Sequence, residues 1–178
     1  MSFFKKLFSK QPEVQHEPKI DYTLGELKQG FILDYNDQNW EVEETVTYFW
    51  EQGTKELEHT IFNGKDRLYL NFSPSEQRSS VFWEASFSDV WPEAKQKMRQ
   101  KHFSPSDSFA FNGNNYEFSG NGQATVETST ESYRVENWLF ENEKEGLLVS
   151  FNLYEDDSIS VFTGKLLNNY EVSNILPR

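Results

Sequence analysis

The 178-residue sequence contains no cysteine and no long apolar run. The absence of cysteine excludes disulfides, thiolate metal ligands and cysteine nucleophiles, and it fits a reducing compartment. No apolar stretch approaches the roughly 20 residues that a membrane-spanning helix needs. Lysines interrupt the apolar residues near the N-terminus, so the chain shows no signal-peptide core. We therefore expect a cytoplasmic protein whose contact with a membrane is at most peripheral, at the inner membrane surface.

Signatures of catalysis are also absent. The Gly-x-Ser-x-Gly motif, the phosphate-binding loop and the dinucleotide-binding fingerprint do not occur. The three histidines, His16, His59 and His102, lack the spacing of metal ligands. Clusters of acidic residues lack the spacing of a calcium-binding loop, and we interpret them as solvated surface. The sequence therefore predicts no enzyme activity, no cofactor and no metal site.

Acidic residues outnumber basic ones by 29 to 17, and the formal net charge is -12 at pH 7. Basic residues concentrate in residues 1–10 and 90–102, so the rest of the chain is strongly acidic. An acidic body repels phosphate backbones, which makes nucleic acid an unfavourable partner. Small organic cations and basic protein surfaces are the partners that this charge favours.

Aromatic residues make up 16% of the chain, and Phe and Tyr far outnumber Met. Such residues favour β-strands over helices. Short strand-prone runs alternate with turns, and Asn112-Gly113 is a strong hairpin dipeptide. The pattern predicts a mainly β protein with antiparallel sheets, arranged as small barrels or as a sandwich. One short helix is predicted to begin near Pro92, with Trp91, Ala94 and Met98 facing inward.

The sequence repeats itself at an offset of about 76 to 79 residues. Three pairs of segments match in the same order: 35–42 with 111–118, 58–62 with 136–140, and 68–72 with 147–151. Such ordered matches indicate an internal duplication. We therefore predict two pseudo-symmetric antiparallel β units, at residues 21–88 and 107–178. Residues 89–106 hold the connecting helix, and residues 1–20 form a basic, aromatic segment with a linker.

These hairpin motifs, together with the Glu-x-Trp-Leu strand at residues 136–139, carry a resemblance to a known family. The chain resembles the uncharacterised bacterial family called domain of unknown function 4178, over residues 24–177, with two copies of the repeat unit. Many members of that family are encoded beside polyamine-synthesis-like enzymes and small membrane proteins. The resemblance implies an accessory or adaptor role, and it supplies no catalytic residues.

Three residues are candidate ligand-binding positions: Glu58, Glu136 and Trp138. The duplication places Glu58 and Glu136 at the same position of the two repeats. Strand alternation puts Glu136 on the face of Trp138, and a carboxylate on an apolar face needs a partner. That partner is either a neighbouring group of the protein or a bound organic cation, which an adjacent aromatic ring would also attract.

The sequence thus predicts a non-enzymatic cytoplasmic binding or adaptor protein with an unidentified protein partner. The alternative is an accessory subunit that binds a small, polyamine-like cation for a neighbouring enzyme. Contact with an anionic membrane is predicted for the N-terminal segment, where apolar residues recur at helical spacing beside lysines. The predicted membrane-contact residues are Phe3, Phe4, Lys5, Lys6, Leu7 and Phe8.

Overall fold

A computed structural model describes residues 22–168 and 170–178 of the protein. The N-terminal segment and its six predicted membrane-contact residues lie outside the described residues, so membrane contact stays a prediction. Within the described part of the chain, no helix is both long and apolar enough to cross a membrane.

The described residues form a mainly β protein, as the aromatic composition predicts. A short 3₁₀ turn at Leu24–Glu26 precedes the first strand. The strands are β1 (Ile32–Tyr35), β2 (Gln38–Trp50), β3 (Lys55–Phe62), β4 (Arg67–Ser73), β5 (Arg78–Glu84), β6 (Ser108–Phe111), β7 (Asn114–Glu127), β8 (Ser132–Asn142), β9 (Leu147–Tyr154), β10 (Ile159–Leu167) and β11 (Val172–Leu176).

Two hairpins begin the two series of strands, and both use two-residue turns. Asn36 and Asp37 join β1 to β2 with φ values of 51° and 57°. Asn112 and Gly113 join β6 to β7 with φ values of 49° and 76°. Positive φ at both turn positions matches the twist of the flanking strands, and Asn, Asp and Gly adopt it most readily. The hairpins predicted from these turn residues are therefore confirmed.

All strands belong to one antiparallel sheet, in the order β11-β1-β2-β3-β4-β5-β10-β9-β8-β7-β6. A further pairing joins β2 to β7, through residues 47–50 and 124–127. This pairing closes a ring of eight strands within one continuous sheet. The sequence instead predicts small barrels or a sandwich. The closure is possible because β2 and β7 are long. The first half of each strand pairs with its hairpin partner, and the second half remains free for the other long strand.

Two short helices connect β5 to β6, where the sequence predicts one. Helix α1 (Phe87–Val90) is followed by helix α2 (Ala94–Gln100), and Lys101 ends α2 in the left-handed conformation. Ala94 and Met98 are fully buried, as their shared face predicts. Trp91 packs beside them, with its ring 4.7 Å from the ring of Phe109.

Two hydrophobic cores lie on the face of the sheet that points away from the interior of the ring. The first core contains Leu33, Trp40, Val42, Ile61, Leu70 and Val81. The second contains Met98, Phe109, Trp138, Phe140, Val149 and Phe151. Because side chains alternate along a strand, the neighbours of these residues point to the opposite face. That alternation sends polar and aromatic side chains into the ring, together with a small apolar cluster of Val46, Ala124, Val126 and Val135.

Candidate functional site: the interior of the strand ring

The interior of the ring contains two connected chambers. The upper chamber has a volume of about 460 Å³ and is lined by residues from all eight strands of the ring. The lower chamber has a volume of about 320 Å³. Five residues line both chambers and mark the junction between them: Tyr48, Glu58, Tyr69, Asn152 and Phe162.

Glu58 lies at the centre of this interior. It stands on β3, directly opposite Val46 of β2 and Asn71 of β4. The residue is half-buried, and it lines both chambers. Burial, reinforced by the negative charge of Glu56, raises the pKa of Glu58 to about 7. A carboxylate with such a pKa lies in a site that disfavours an unpaired negative charge.

The hydrogen bonds of Glu58 come from two neutral side chains, Tyr48 and Asn71. The Tyr48 hydroxyl donates to either carboxylate oxygen across 3.4 Å, which is long for an O–H···O bond. No ion pair joins Glu58 to a lysine or arginine in the described part of the chain. Burial, with the nearby Glu58 charge, raises the pKa of Tyr48 well above its usual value. The pair is therefore a neutral phenol beside a carboxylate that lacks a counter-ion.

Glu56 points into the upper chamber two residues earlier on β3. The Trp50 indole donates to one of its oxygens at 3.1 Å, and the Asn71 amide donates to the other at 3.2 Å. Burial raises the pKa of Glu56 despite these bonds. The Asn71 carbonyl oxygen is buried, and it accepts no hydrogen bond from the described residues. A buried acceptor without a donor is costly, so this wall suits a ligand that carries N–H groups.

The lower chamber combines acids with aromatic rings. Its carboxylates are Glu44, Glu58 and Glu131, and its aromatic residues are Tyr48, Tyr69, Tyr133, Tyr154 and Phe162. None of the described residues that line it is a lysine or an arginine. Burial and nearby negative charges raise the pKa of Tyr133 to about 12, so its hydroxyl stays neutral. The chamber therefore has a negative potential and aromatic faces, both of which attract cations.

The wall opposite β3 is neutral. The Asn137 amide donates at 2.7 Å to the Ser150 hydroxyl and at 2.7 Å to the Asn152 carbonyl oxygen. At the outer end of the upper chamber, the Arg78 guanidinium donates to the Glu141 carboxylate at 3.0 Å. The charge of the interior is thus asymmetric, with unpaired acids on one side and amides and hydroxyls on the other.

A glycine on β7 permits the packing of Trp50 in the upper chamber. A Cβ atom at Gly122 would lie 3.2 Å from the Trp50 ring. The glycine therefore lets the indole lie against the β7 backbone, where the ring also stacks on Tyr48 at a centroid distance of 5.8 Å. This stack orients the Trp50 N–H toward Glu56.

The structure separates the three ligand-binding residues predicted from the sequence. Glu58 faces the chambers. Glu136 lies on the opposite face of the sheet, where its carboxylate binds the Lys101 ammonium at 2.6 Å. Trp138 is 3% exposed and packs in the second core. The expectation that Glu58 and Glu136 occupy equivalent positions is therefore wrong. An alignment that is one residue out of register moves a side chain to the other face of the sheet.

Several residues of the site were missed from the sequence. Glu44 belongs to one of the acidic clusters that we interpret from the sequence as solvated surface, and no motif in the sequence marks the four tyrosines. A usable signal exists in the period-two pattern of β2 and β3, where Tyr48-x-Trp50 and Glu56-x-Glu58 each put two polar or aromatic groups on one face. Among the described residues, no group of three or more His, Asp or Glu side chains is arranged to hold a metal ion.

Comparisons with known proteins add a family and a relative. The family described as Domain of unknown function (DUF4178) matches residues 28–169. An uncharacterised protein from Aquifex aeolicus (strain VF5) is 29% identical over 174 residues, which cover 98% of this chain and 96% of that protein. No solved structure matches the chain. None of these similarities assigns a reaction or a ligand.

Proposed function

Because the chain belongs to the family described as Domain of unknown function (DUF4178), which has no assigned activity, we propose its function from the interior of the ring. We propose that the protein is a non-enzymatic binding protein that takes a small organic cation into the lower chamber. The observation that carries this proposal is the lining of that chamber, with three carboxylates, four tyrosines and no lysine or arginine among the described residues.

Physical chemistry supports a cation over other ligand classes. An anion would meet Glu44, Glu58 and Glu131 without a compensating positive charge. A neutral apolar ligand would leave the buried carboxylate of Glu58 without a counter-charge. An organic cation supplies that charge and also gains from contact with the tyrosine faces. A polyamine-like ligand, which the family resemblance implies, belongs to this class.

Binding is favoured over catalysis for this interior. A carboxyl group with a pKa near 7 also suits a general base, so the alternative is a real one. A general base acts on a nucleophile or substrate within hydrogen-bond reach, and the described partners of Glu58 are the Tyr48 phenol and the Asn71 amide. His59 does not serve either, because it is fully buried on the other face and contacts the Thr45 hydroxyl through Nδ1 at 2.8 Å.

We also propose that the two series of strands are two copies of one unit. The paired registers align Trp40 with Tyr116 and Ile61 with Phe140, and each pair occupies matching places in the two cores. Each long strand has a register shift at the corresponding place, after Val42 in β2 and after Phe118 in β7. In the same alignment, Asn137 of the second series occupies the position that Glu58 occupies in the first. In this proposal only the first copy keeps the interior acid.

The proposal is tested by isothermal titration calorimetry of the full-length protein with spermidine in 150 mM NaCl. We expect saturable binding that Glu58→Gln weakens by at least about thirtyfold, because breaking a desolvated charge pair costs about 2 kcal/mol or more. Glu136→Gln is the matched control, since it makes the same change on the opposite face of the sheet, and it should retain binding.

Two outcomes would contradict the proposal. Equal heats from magnesium chloride at the same ionic strength would show general screening of an acidic protein in place of a specific site. Equal affinity for wild type and Glu58→Gln would show that spermidine binds outside the ring.

A further inference from the structure

We propose that the bound cation is a linear diammonium compound whose two N–H-bearing ends are held at separate positions. One ammonium group contacts Glu58 at the junction of the chambers, and the other contacts Glu44 and Glu131 at the opening of the lower chamber. This inference rests on the proposed function and specifies its ligand class.

The spacing of the acids along the strands defines the length of the ligand. Glu44 pairs with Thr60 and Glu58 pairs with Val46, so the two acids are diagonal neighbours on β2 and β3. Residues at such diagonal positions lie about 7–8 Å apart, and their Cβ atoms are somewhat closer. Four methylene groups in an extended chain separate two terminal nitrogens by about 6 Å, given bonds of about 1.5 Å. A ligand of that length reaches both acids at once.

Charge at the opening of the chamber favours a second ammonium group. Glu44 is exposed, and it has no lysine or arginine partner in the described ranges 22–168 and 170–178. Glu131 lies across the opening, in the turn between β7 and β8, where its backbone N–H donates to the Thr128 hydroxyl at 3.0 Å. The turn therefore fixes the position of this second acid. A monoamine seated at Glu58 would leave both acids without a counter-charge.

The hydrogen-bonding groups at the inner position require N–H donors on the ligand. Glu58 receives long bonds from the Tyr48 hydroxyl and a bond from the Asn71 amide, both neutral groups, and the buried carbonyl oxygen of Asn71 receives none from the described residues. Asn71 is the direct cross-strand neighbour of Glu58, so both residues belong to the same wall of the upper chamber. A primary ammonium group has three N–H donors, whereas a quaternary ammonium group has none and would leave these acceptors unsatisfied.

Aromatic rings enclose the path between the two positions. Tyr69 meets Phe162 edge-on at a centroid distance of 5.1 Å, and the rings of Tyr133 and Tyr154 lie 6.0 Å apart. These rings offer an apolar surface to methylene groups and negative faces to the ammonium ends. A slender, unbranched chain suits this lining because its middle is apolar and its ends are charged.

The experiment compares three ligands by calorimetry at pH 7.5 in 150 mM NaCl. They are butylamine, 1,4-diaminobutane and the bis-quaternary analogue of 1,4-diaminobutane, in which each nitrogen carries three methyl groups. We expect 1,4-diaminobutane to bind about fivefold more tightly than butylamine, which is the upper end of the gain from one exposed ion pair. The bis-quaternary analogue should bind at least about tenfold more weakly than 1,4-diaminobutane, because it donates no hydrogen bonds.

Variants locate the second ammonium group. Glu44→Gln should weaken the binding of 1,4-diaminobutane by a larger factor than the binding of butylamine, because only the diamine has an ammonium group beside Glu44. Glu117→Gln removes the same charge from an exposed position of β7 that lines neither chamber, and it should preserve the advantage.

The outcomes separate this inference from the proposed function. If the monoamine and the diamine bind equally well, and Glu58→Gln abolishes both, the cation site stands and the diammonium inference is overturned. Equal binding of the bis-quaternary analogue overturns the requirement for N–H donors. If none of the amines binds, the proposed function fails, and this inference fails with it.

Discussion

Replacement of Glu58 by glutamine should stabilise the protein at neutral pH and above. The pKa of this carboxyl group is about 7 in the folded protein and 4.5 ordinarily. Between these two values, the folded protein holds a proton that the unfolded chain has released. Raising the pH through this window therefore favours unfolding, and the loss of stability is complete above about pH 7. Glutamine has nearly the shape of glutamate and cannot ionise, so the stability of the variant does not fall in this way as the pH rises.

The size of the effect follows from the difference between the folded and unfolded pKa values. Each pKa unit corresponds to about 1.4 kcal/mol. The advantage of Glu58→Gln over wild type should therefore grow by up to about 3 kcal/mol between pH 4.5 and pH 8. Burial is the main cause of the raised pKa, and the Glu56 charge is the second. Other titrating groups are shared by both proteins, so comparing the two isolates the contribution of Glu58.

Urea denaturation of both proteins, repeated at half-unit steps from pH 4.5 to pH 8, measures this difference. The free energy of unfolding of the variant should exceed that of wild type increasingly as the pH rises. Glu136→Gln is the comparison on the opposite face. This substitution should lower the free energy of unfolding by less than about 1 kcal/mol, because the Lys101 partner of Glu136 is largely exposed. A difference between wild type and Glu58→Gln that stays within about 0.5 kcal/mol at every pH would refute the account of a buried, uncompensated carboxylate.

Two further predictions concern the packing of the ring and the buried histidine. Gly164→Ala should destabilise the protein by about 1–3 kcal/mol, because the new Cβ would lie 2.5 Å from the Val81 carbonyl oxygen. Gly120→Ala is the control on the same inner face, with nothing within 4 Å of its Cβ, and equal melting temperatures for the two variants would contradict this packing. Burial lowers the pKa of His59 to about 4 from its ordinary 6.5, so its contribution to stability is present above pH 6.5 and is lost as the pH falls through 4. NMR titration should show a neutral His59 imidazole at pH 5, and a charged ring at that pH would contradict its burial.

Local patterns predicted much of the fold. Asn112-Gly113 located a hairpin, because that dipeptide readily adopts positive φ at both turn positions. Ala94 and Met98 identified the buried face of α2, because residues four apart share one side of a helix. The aromatic and β-branched content indicated a mainly β protein, since such side chains pack well on pleated surfaces. Each of these inferences depends on residues close together in the chain.

The candidate site was harder to predict, because strand register decides which side chains enter it. The alignment of the repeats treated Glu58 and Glu136 as equivalent, with Trp138 beside the second acid. In the structure Glu58 faces the chambers, whereas Glu136 and Trp138 lie on the opposite face with Lys101 and the second core. A shift of one residue reverses the face of every side chain in a strand. The short sequence matches between the repeats do not fix the alignment to within one residue.

The sequence by itself determined the strands, the turns, the acidic charge and the presence of two similar series of segments, because these follow from local periodicity and composition. Only the tertiary structure decided that β2 pairs with β7 and closes a ring. That contact joins residues about 80 positions apart, and no local pattern specifies it. Closure brought Glu44, Glu58 and Glu131 into the lining of one chamber. It also shielded Glu58 from much of the bulk water, and this burial is the main physical reason for its raised pKa and its expected affinity for a cation.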